Sequence, residues 1–140
     1  MEESKRVQAV LIPYQIREKS IFVFLQKRSI TQRLPNYYGF FGGHLENDET
    51  PEEGMLREIK EELDYTPKNY QFLKAFEFTR SIRNVYYMRA EDDFEKQITV
   101  LEGQYGKYFK EDEALSEPLL IDEDKEVLQA FYKKIKGALH

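Results

Sequence analysis

The segment GHLENDETPEEGMLREIKEELDY, from Gly43 to Tyr65, carries the strongest structural signals in the sequence. Thr50 is followed three residues later by Glu53, a spacing typical of a capping box at the start of a helix. Pro51 suits the first helical position, where the N–H that proline lacks has no partner to lose. A helix is therefore predicted to begin directly after Thr50 and to end near Asp64, where a polar run begins.

Two faces of this helix carry different side chains. An apolar stripe repeats at spacings of three and four and is expected to face the core: Leu56, Ile59 and Leu63. On the other side, three carboxylates share one face at i, i+3 and i+4: Glu58, Glu61 and Glu62. Like charges at these spacings repel by roughly 0.2–0.5 kcal/mol per pair. The face is either a solvated acidic surface or a site for Mg²⁺ or Mn²⁺, which bind carboxylates and share substrate phosphates.

Length and composition limit the class of protein. The 140 residues suit a single domain spanning 1–140. The chain has no cysteine, no apolar signal region at its start and no apolar run of about 18 residues, so a soluble, cytoplasmic protein that does not interact with membranes is expected. With 21 Lys and Arg against 26 Asp and Glu, the net charge of −5 argues against duplex nucleic acid as a partner.

Outside the central stretch, the sequence alternates strands with turns and ends in a helix. Strands are predicted where Val, Ile, Leu, Phe and Tyr concentrate: 7–14, 21–26, 70–79 and 85–90. The last two are expected to form an antiparallel hairpin around a charged turn at 80–84. A short helical turn should start at Glu111, and an amphipathic helix should cover 122–139.

The order of residues from Gly43 to Tyr65 resembles the Nudix box, and the chain is similar to the Nudix (MutT-like) hydrolases. The box pattern is Gly, five residues, Glu, seven residues, then Arg-Glu-apolar-any-Glu-Glu-any-Gly-apolar. Its fixed positions are matched by Gly43, Glu49, Arg57, Glu58, Ile59, Glu61, Glu62 and Tyr65. Asp64 stands where the family has Gly, at a helix end where Asp tolerates a left-handed backbone. The resemblance implies the α/β class: a Nudix-type α/β/α sandwich with a mixed β-sheet, a catalytic loop–helix and a C-terminal helix.

The resemblance also implies a metal site. Mg²⁺, or Mn²⁺ in its place, would be held by the carbonyl of Gly43 and by the carboxylates of Glu58, Glu61, Glu62 and Glu102. Glu102 is included because a Glu-Gly-Gln step before a strand supplies a metal ligand in many Nudix proteins. Glu91, Glu95 and Glu111 compete with Glu102 only by being acidic.

Catalytic and substrate-binding roles follow from the same resemblance. Glu58 or Glu61 would accept a proton from the attacking water, while Arg57 and Glu49 would pair and hold the acidic face in register. Arg28 falls where Nudix proteins often contact a substrate phosphate, although a basic residue at a strand end is often only solvated. His44 is a candidate phosphate or base contact, with an ordinary surface histidine as the alternative.

The implied function is Mg²⁺-dependent hydrolysis of a nucleoside diphosphate linked to another group X. A nucleoside triphosphate or related nucleotide is the first choice of substrate. The alternatives are a nucleotide-sugar or ADP-ribose pyrophosphatase, or a non-catalytic nucleotide-binding regulatory module. Family members that read oxidised guanine do so partly through an Asn after the Glu-Gly-Gln step; residues 116–124 contain no Asn, so recognition of that base is not predicted. A homodimer is left open.

Overall fold

The computed structural model describes residues 4–139, which form one seven-stranded sheet and four helices. In chain order the elements are β1 (Arg6–Arg17), β2 (Ser20–Lys27), β3 (Tyr38–Gly39), β4 (Phe41–His44), α1 (Pro51–Leu63), β5 (Gln71–Glu77), β6 (Ser81–Arg89), α2 (Phe94–Gln97), β7 (Tyr105–Lys110), α3 (Glu111–Ser116) and α4 (Asp122–Ala138). No helix among these residues is both long enough and apolar enough to span a bilayer.

The sheet is mixed, because β1 runs parallel to β6 while every other pairing is antiparallel. The main strand order is β3-β2-β1-β6-β5, and β7 pairs with the outer side of β2. β1 changes partner along its length: residues 8–11 pair with β4 and residues 14–17 pair with β2. The short β4 is thereby held beside the first half of β1, immediately before the loop that leads into α1.

Helices cover the two faces of this sheet through two separate apolar clusters. Side chains alternate along β1, as the pleat of a strand requires. Ala9 and Leu11 pack in the cluster that contains α1, whereas Val10 and Ile12 pack in the cluster that contains α4. The predicted α/β/α sandwich with a mixed sheet is confirmed.

The start and end of α1 follow the local signals in the sequence. Thr50 Oγ1 accepts from the N–H of Glu53 at 3.2 Å, and Glu53 Oε1 accepts from the N–H of Thr50 at 2.9 Å. Asp64 follows the last turn with a left-handed φ of 50°. The predicted capping box and the left-handed end at Asp64 are both confirmed.

The predicted faces of α1 need two corrections. Met55 is fully buried, whereas Leu56 is only partly buried at the edge of the stripe. Glu62 is 2% exposed, although it was grouped with Glu58 and Glu61 on an acidic outer face. Successive helical residues are about 100° apart, so a residue three positions after Ile59 lies on nearly the same side of the helix. Glu62 therefore packs under β4 instead of facing solvent.

The predicted charged turn at 80–84 is wrong. β6 already begins at Ser81, where it pairs in parallel with Arg6 of β1. Arg83 and Asn84 are each 8% exposed, so both lie inside the sheet region and not at its margin. The antiparallel pairing of β5 with β6 and the short helix at Glu111 are confirmed.

Candidate active site

Arg57 is the centre of a network of hydrogen bonds at the exposed edge of α1. Its Nε and Nη2 atoms donate to the two carboxylate oxygens of Glu49 at 2.7 and 3.0 Å, which is the two-pronged geometry of strong Arg–carboxylate pairs. Nη2 also donates to the carbonyl of His44 at 3.0 Å. Arg57 therefore ties the loop that precedes α1 to the end of β4.

The same guanidinium reaches two of the acidic side chains on the helix. Nη1 donates to Glu58 Oε1 at 3.0 Å and to Glu61 Oε2 at 3.2 Å. The hydrogen bonds and positive charge of Arg57 lower the pKa of Glu49. In turn, the carboxylates of Glu49, Glu58 and Glu61 raise the pKa of Arg57 above its usual value. The predicted pairing of Arg57 with Glu49 is present in this geometry, and Arg57 holds Glu58 and Glu61 on one side of it.

Glu62 lies in a different environment, buried beneath β4. The backbone N–H of Gly42 donates to both of its carboxylate oxygens, at 3.0 and 3.2 Å. Burial raises the pKa of Glu62 to about 9, with the charges of Glu58 and Glu102 acting in the same direction. The carboxyl groups of Glu62 and Glu58 lie close enough for each to influence the pKa of the other.

Glu58 lies between this buried carboxyl group and the backbone of Gly43. A Cβ atom added to Gly43 would lie 2.9 Å from the Glu58 carboxyl carbon, so a larger residue at this position would displace the Glu58 carboxyl group. Burial raises the pKa of Glu58, against the opposing influence of Arg57. Gly43, Glu58 and Glu62 are thus in one place, as the resemblance implied.

Glu102 approaches the cluster from the loop before β7. The N–H of its neighbour Leu101 donates to the carbonyl of Glu62 at 2.8 Å, which brings this loop against the last turn of α1. The Glu102 side chain itself is exposed, and its charge contributes to the raised pKa of Glu62. The two distant parts of the sequence singled out for metal binding are therefore adjacent.

The acidic side chains fit a hard divalent cation in their chemistry, although they do not form a closed cage. The carboxyl groups of Glu58 and Glu62 lie near each other, and burial together with the charge of Glu58 raises the pKa of Glu62. Within residues 4–139, no group of three Asp, Glu or His side chains is placed so that it could hold a metal ion. Mg²⁺ does not need such a cage, because it commonly binds one or two carboxylates and completes its shell with water and phosphate.

A cleft of about 1260 Å³ adjoins this cluster along β4. Gly42, Gly43 and His44 form part of its wall, and Arg28 lines it from the end of β2. The Arg28 guanidinium packs over Gly39, where an added Cβ would lie 3.2 Å from Nε, and it is within electrostatic reach of Glu62. Burial lowers the pKa of Arg28.

His44 contributes to the cleft with both its side chain and its backbone. Its imidazole is on the lining, and partial burial, with the positive charges of Arg6 and Arg33 nearby, lowers its pKa. Its carbonyl accepts the hydrogen bond from Arg57 described above. Both candidate substrate contacts, Arg28 and His44, therefore face the same cavity.

One feature of the cleft was missed at the level of sequence. Arg83 forms a buried ion pair with Asp124 at 2.5 Å and also approaches Glu123 at 3.7 Å. Its Nε donates to Gln8 Oε1 at 3.3 Å. Arg83 lies opposite Gln8 in the parallel pairing of β6 with β1. The ion pair between Arg83 and Asp124 therefore holds the start of α4 against the centre of the sheet.

Comparison with known proteins identifies relatives of this fold and site. A family model described as NUDIX domain matches residues 5–131. The 8-oxo-dGTP diphosphatase of Escherichia coli (strain K12) is 30% identical over 70 residues, which cover 50% of this chain and 54% of that protein. The chain spans about half the length of the curated relatives that it matches.

Two solved structures share the fold. A MutT/nudix family protein from Listeria innocua superposes with a TM-score of 0.80 at 18% identity, covering 99% of this chain and 98% of that one. The NUDIX domain of Shewanella oneidensis NrtR, complexed with ADP ribose, superposes with a TM-score of 0.74 at 16% identity, covering 96% of this chain and 90% of that one. With the domain match extending from β1 into α4, the chain belongs to the NUDIX domain family.

Proposed function

We propose that this protein is a Mg²⁺-dependent pyrophosphohydrolase that cleaves the diphosphate linkage of a nucleoside diphosphate bonded to another group X. The observation that carries the proposal is the buried Glu62, which accepts hydrogen bonds from Gly42, lies within electrostatic reach of Glu58 and is beside a cleft lined with arginine. Membership of the NUDIX domain family and a relative named 8-oxo-dGTP diphosphatase support this class of reaction. A nucleoside triphosphate or related nucleotide is the preferred substrate.

The metal would be bound by side chains of α1 and by the loops that meet it. The ligands in this proposal are the carbonyl of Gly43 and the carboxylates of Glu58, Glu61, Glu62 and Glu102. Mg²⁺, when bound, would neutralise the charge of the diphosphate and make the attacking water more acidic. Glu58 and Glu61 would have to be shared between the metal and Arg57, which contacts both of them.

Glu58 is the better placed of the two candidate bases. Its side chain is 16% exposed, whereas that of Glu61 is 49% exposed, and burial raises the pKa of Glu58. The less exposed carboxylate is more firmly oriented, and a general base must be held within hydrogen-bond reach of the proton that it accepts. Arg57 would orient Glu58 through the 3.0 Å hydrogen bond, and Arg28 would contact a phosphate oxygen in the cleft.

The experiment is a hydrolysis screen with and without Mg²⁺. Nucleoside triphosphates, dinucleotides, nucleotide sugars and ADP-ribose are incubated with the protein, and the nucleotide products are separated by ion-exchange chromatography. Cleavage of a diphosphate linkage in at least one compound, dependent on Mg²⁺, is the expected result. If none of these compounds is cleaved, either with or without Mg²⁺, the proposal is contradicted.

A set of glutamate variants tests the assignment of the ligand outside the box. Glu102→Gln should lower turnover by about a hundredfold, the scale of losing one charged group that stabilises the transition state. Glu91→Gln and Glu95→Gln, which neutralise one glutamate before α2 and one within it, are the controls and should behave like the unmodified protein. The reverse order would show that Glu102 is not the ligand.

The screen also separates the alternative substrates. The NrtR domain bound to ADP ribose shares the fold, so ADP-ribose and nucleotide sugars are included as competing candidates. Residues 116–124 contain no Asn that could read an oxidised guanine, and Asp124 in this segment forms an ion pair with Arg83. Oxidised guanine is therefore not the preferred base. A single domain, a cytoplasmic location and a homodimer remain predictions.

A further inference from the structure

The cleft carries more positive charge than its own acidic residues balance. Among its lining residues, Arg83 is paired with Asp124 and Glu123, and Lys5 is paired with Glu77 at 2.6 Å. The other basic residues of the lining form no ion pair within residues 4–139: Arg6, Arg28, Arg33 and Arg80. In a chain with a net charge of −5, this concentration of unpaired guanidinium groups favours binding of an anion.

Two of these arginines lie together at the rim where β1 and β6 begin. The N–H of Arg6 donates to the carbonyl of Arg80 at 3.1 Å, so the backbones of the two residues are in contact. Both side chains are exposed, and neither makes a hydrogen bond within the described part of the chain. Thr79 and Ser81, on either side of Arg80, also line the cleft and add hydroxyl donors.

This rim is separated from the acidic cluster along β1. Gly43 lies opposite Ala9 in the pairing of β4 with β1, three residues along the strand from Arg6. A strand rise of about 3.3 Å per residue places the two backbones about 10 Å apart. The backbone at the rim is therefore too far along the cleft to contact a phosphate bound at Gly43, and the side chains of Arg6 and Arg80 extend from this more distant part of the cleft.

We propose that Arg6 and Arg80, together with the hydroxyl groups of Thr79 and Ser81, bind a phosphate group of the substrate other than the two joined by the scissile linkage. The proposal deepens the proposed function and rests on it for the position of that linkage. Guanidinium groups bind phosphate oxygens through directed, charge-assisted hydrogen bonds. The further phosphate is either part of a longer polyphosphate chain or a monoester on the sugar.

Binding can be measured without turnover. The 5′-monophosphate, 5′-triphosphate and 3′,5′-bisphosphate of adenosine, guanosine, cytidine and uridine are titrated calorimetrically in EDTA. Four bases are used so that an unsuitable base does not hide the effect of the phosphate. For at least one base, the compound with the added phosphate should bind about five- to tenfold more tightly than the monophosphate, the size expected for a few solvent-accessible charge contacts.

The responsible residues are identified with matched charge variants. The double variant Arg6→Gln and Arg80→Gln should reduce the added-phosphate gain to below about twofold and leave monophosphate binding unchanged. Arg89→Gln, at the exposed far end of β6, is the control and should retain the full gain. The gain should also shrink with added salt, because exposed charges are screened over about 8–10 Å at physiological ionic strength.

Each outcome has a defined meaning. A gain that the double variant abolishes supports the rim site: with the bisphosphate it identifies a sugar monoester, and with the triphosphate alone it identifies a longer chain. Absence of a gain with all four bases, or a gain that survives the double variant, overturns it. Because these titrations require no hydrolysis, loss of the rim effect is distinguishable from failure of the hydrolysis screen.

Discussion

Replacement of Glu62 by glutamine should make the protein more stable in the absence of metal, and more so as the pH rises. The carboxyl group is 2% exposed, and its pKa is raised by burial from 4.5 to about 9. Glutamine keeps the shape and an oxygen that can accept from the N–H of Gly42. The substitution removes only the ionisable carboxyl group, and with it the free-energy cost of burying that group at a pH where it would be ionised in water.

The sign of the pH dependence follows from the direction of the shift. Between pH 4.5 and about 9, folded Glu62 keeps a proton that the unfolded chain has released, so the free energy of unfolding decreases as the pH rises. Each pH unit above 4.5 lowers the free energy of unfolding by about 1.36 kcal/mol. The buried carboxyl group therefore destabilises the fold by at most about 4 kcal/mol at pH 7.5 and by about 1 kcal/mol at pH 5. Penetration of water and the nearby Arg28 reduce the actual value.

This free energy converts to a measurable melting temperature. An unfolding entropy of about 2.1 cal/mol/K per residue over the 140 residues gives about 0.3 kcal/mol per degree. In EDTA, Glu62→Gln should therefore melt about 4–14 °C higher than the unmodified protein at pH 7.5, and about 3 °C higher or less at pH 5. Glu61→Gln, whose side chain is 49% exposed, is the control and should shift by less than about 2 °C at both values.

Calorimetric melting at the two pH values is the assay, and it is repeated with Mg²⁺. A stabilisation by Glu62→Gln that is equal at pH 5 and 7.5, or a loss of stability at pH 7.5, would show that the pKa of the buried carboxyl group is not raised in the folded protein. Saturating Mg²⁺ should raise the melting temperature of the unmodified protein and of Glu95→Gln, but should have a smaller effect on Glu62→Gln. An undiminished effect of Mg²⁺ on Glu62→Gln would remove it from the proposed ligands.

Two other predictions concern the scaffold of the site and can be checked by chemical denaturation. Arg57→Met breaks a partly buried, two-pronged ion pair and should reduce the free energy of unfolding by about 2–3 kcal/mol. The control, Lys60→Met on the exposed side of the same helix, should change the free energy of unfolding by less than about 0.5 kcal/mol. Equal effects of the two variants would show that the Arg57 network adds no stability. Gly42→Ala should lower the free energy of unfolding by about 3 kcal/mol or more, because the φ of Gly42 is +136° and a Cβ would lie 2.2 Å from the Ala9 carbonyl oxygen. The control, Gly137→Ala in α4, has open space around the added Cβ and should be neutral or stabilising by up to about 1 kcal/mol. A tolerated Gly42→Ala would mean that β4 does not approach β1 this closely.

The parts of the fold that could be predicted from the sequence are those set by neighbouring residues. The capping box of Thr50 and Glu53 involves atoms three residues apart, so its signal is complete within one turn of the helix. The left-handed conformation of Asp64 is likewise a local property of a helix end. The pairing of Arg57 with Glu49 also spans only one loop and two helical turns, and the box pattern places both residues.

The rest depends on contacts between distant segments. Arg83 was interpreted as part of a charged turn because nothing near it indicates that β6 pairs in parallel with β1 and carries it inward. Its partner Asp124 lies 41 residues later. The burial of Glu62 depends on β4 crossing above the last turns of α1, and the cationic rim depends on Arg6 and Arg80 meeting across two strands. No short-range periodicity reports such pairings.

Acidic residues of α1 are proposed to support Mg²⁺-dependent cleavage of a diphosphate linkage, and the rate of product release during a titration with Mg²⁺ tests this role. With the best substrate from the screen, the unmodified protein should be inactive in EDTA and should reach a saturating rate as Mg²⁺ is added. Glu62→Gln should lose at least about a hundredfold of that rate at saturating Mg²⁺. Equal rates with EDTA and with Mg²⁺, or full activity of Glu62→Gln, would contradict the account.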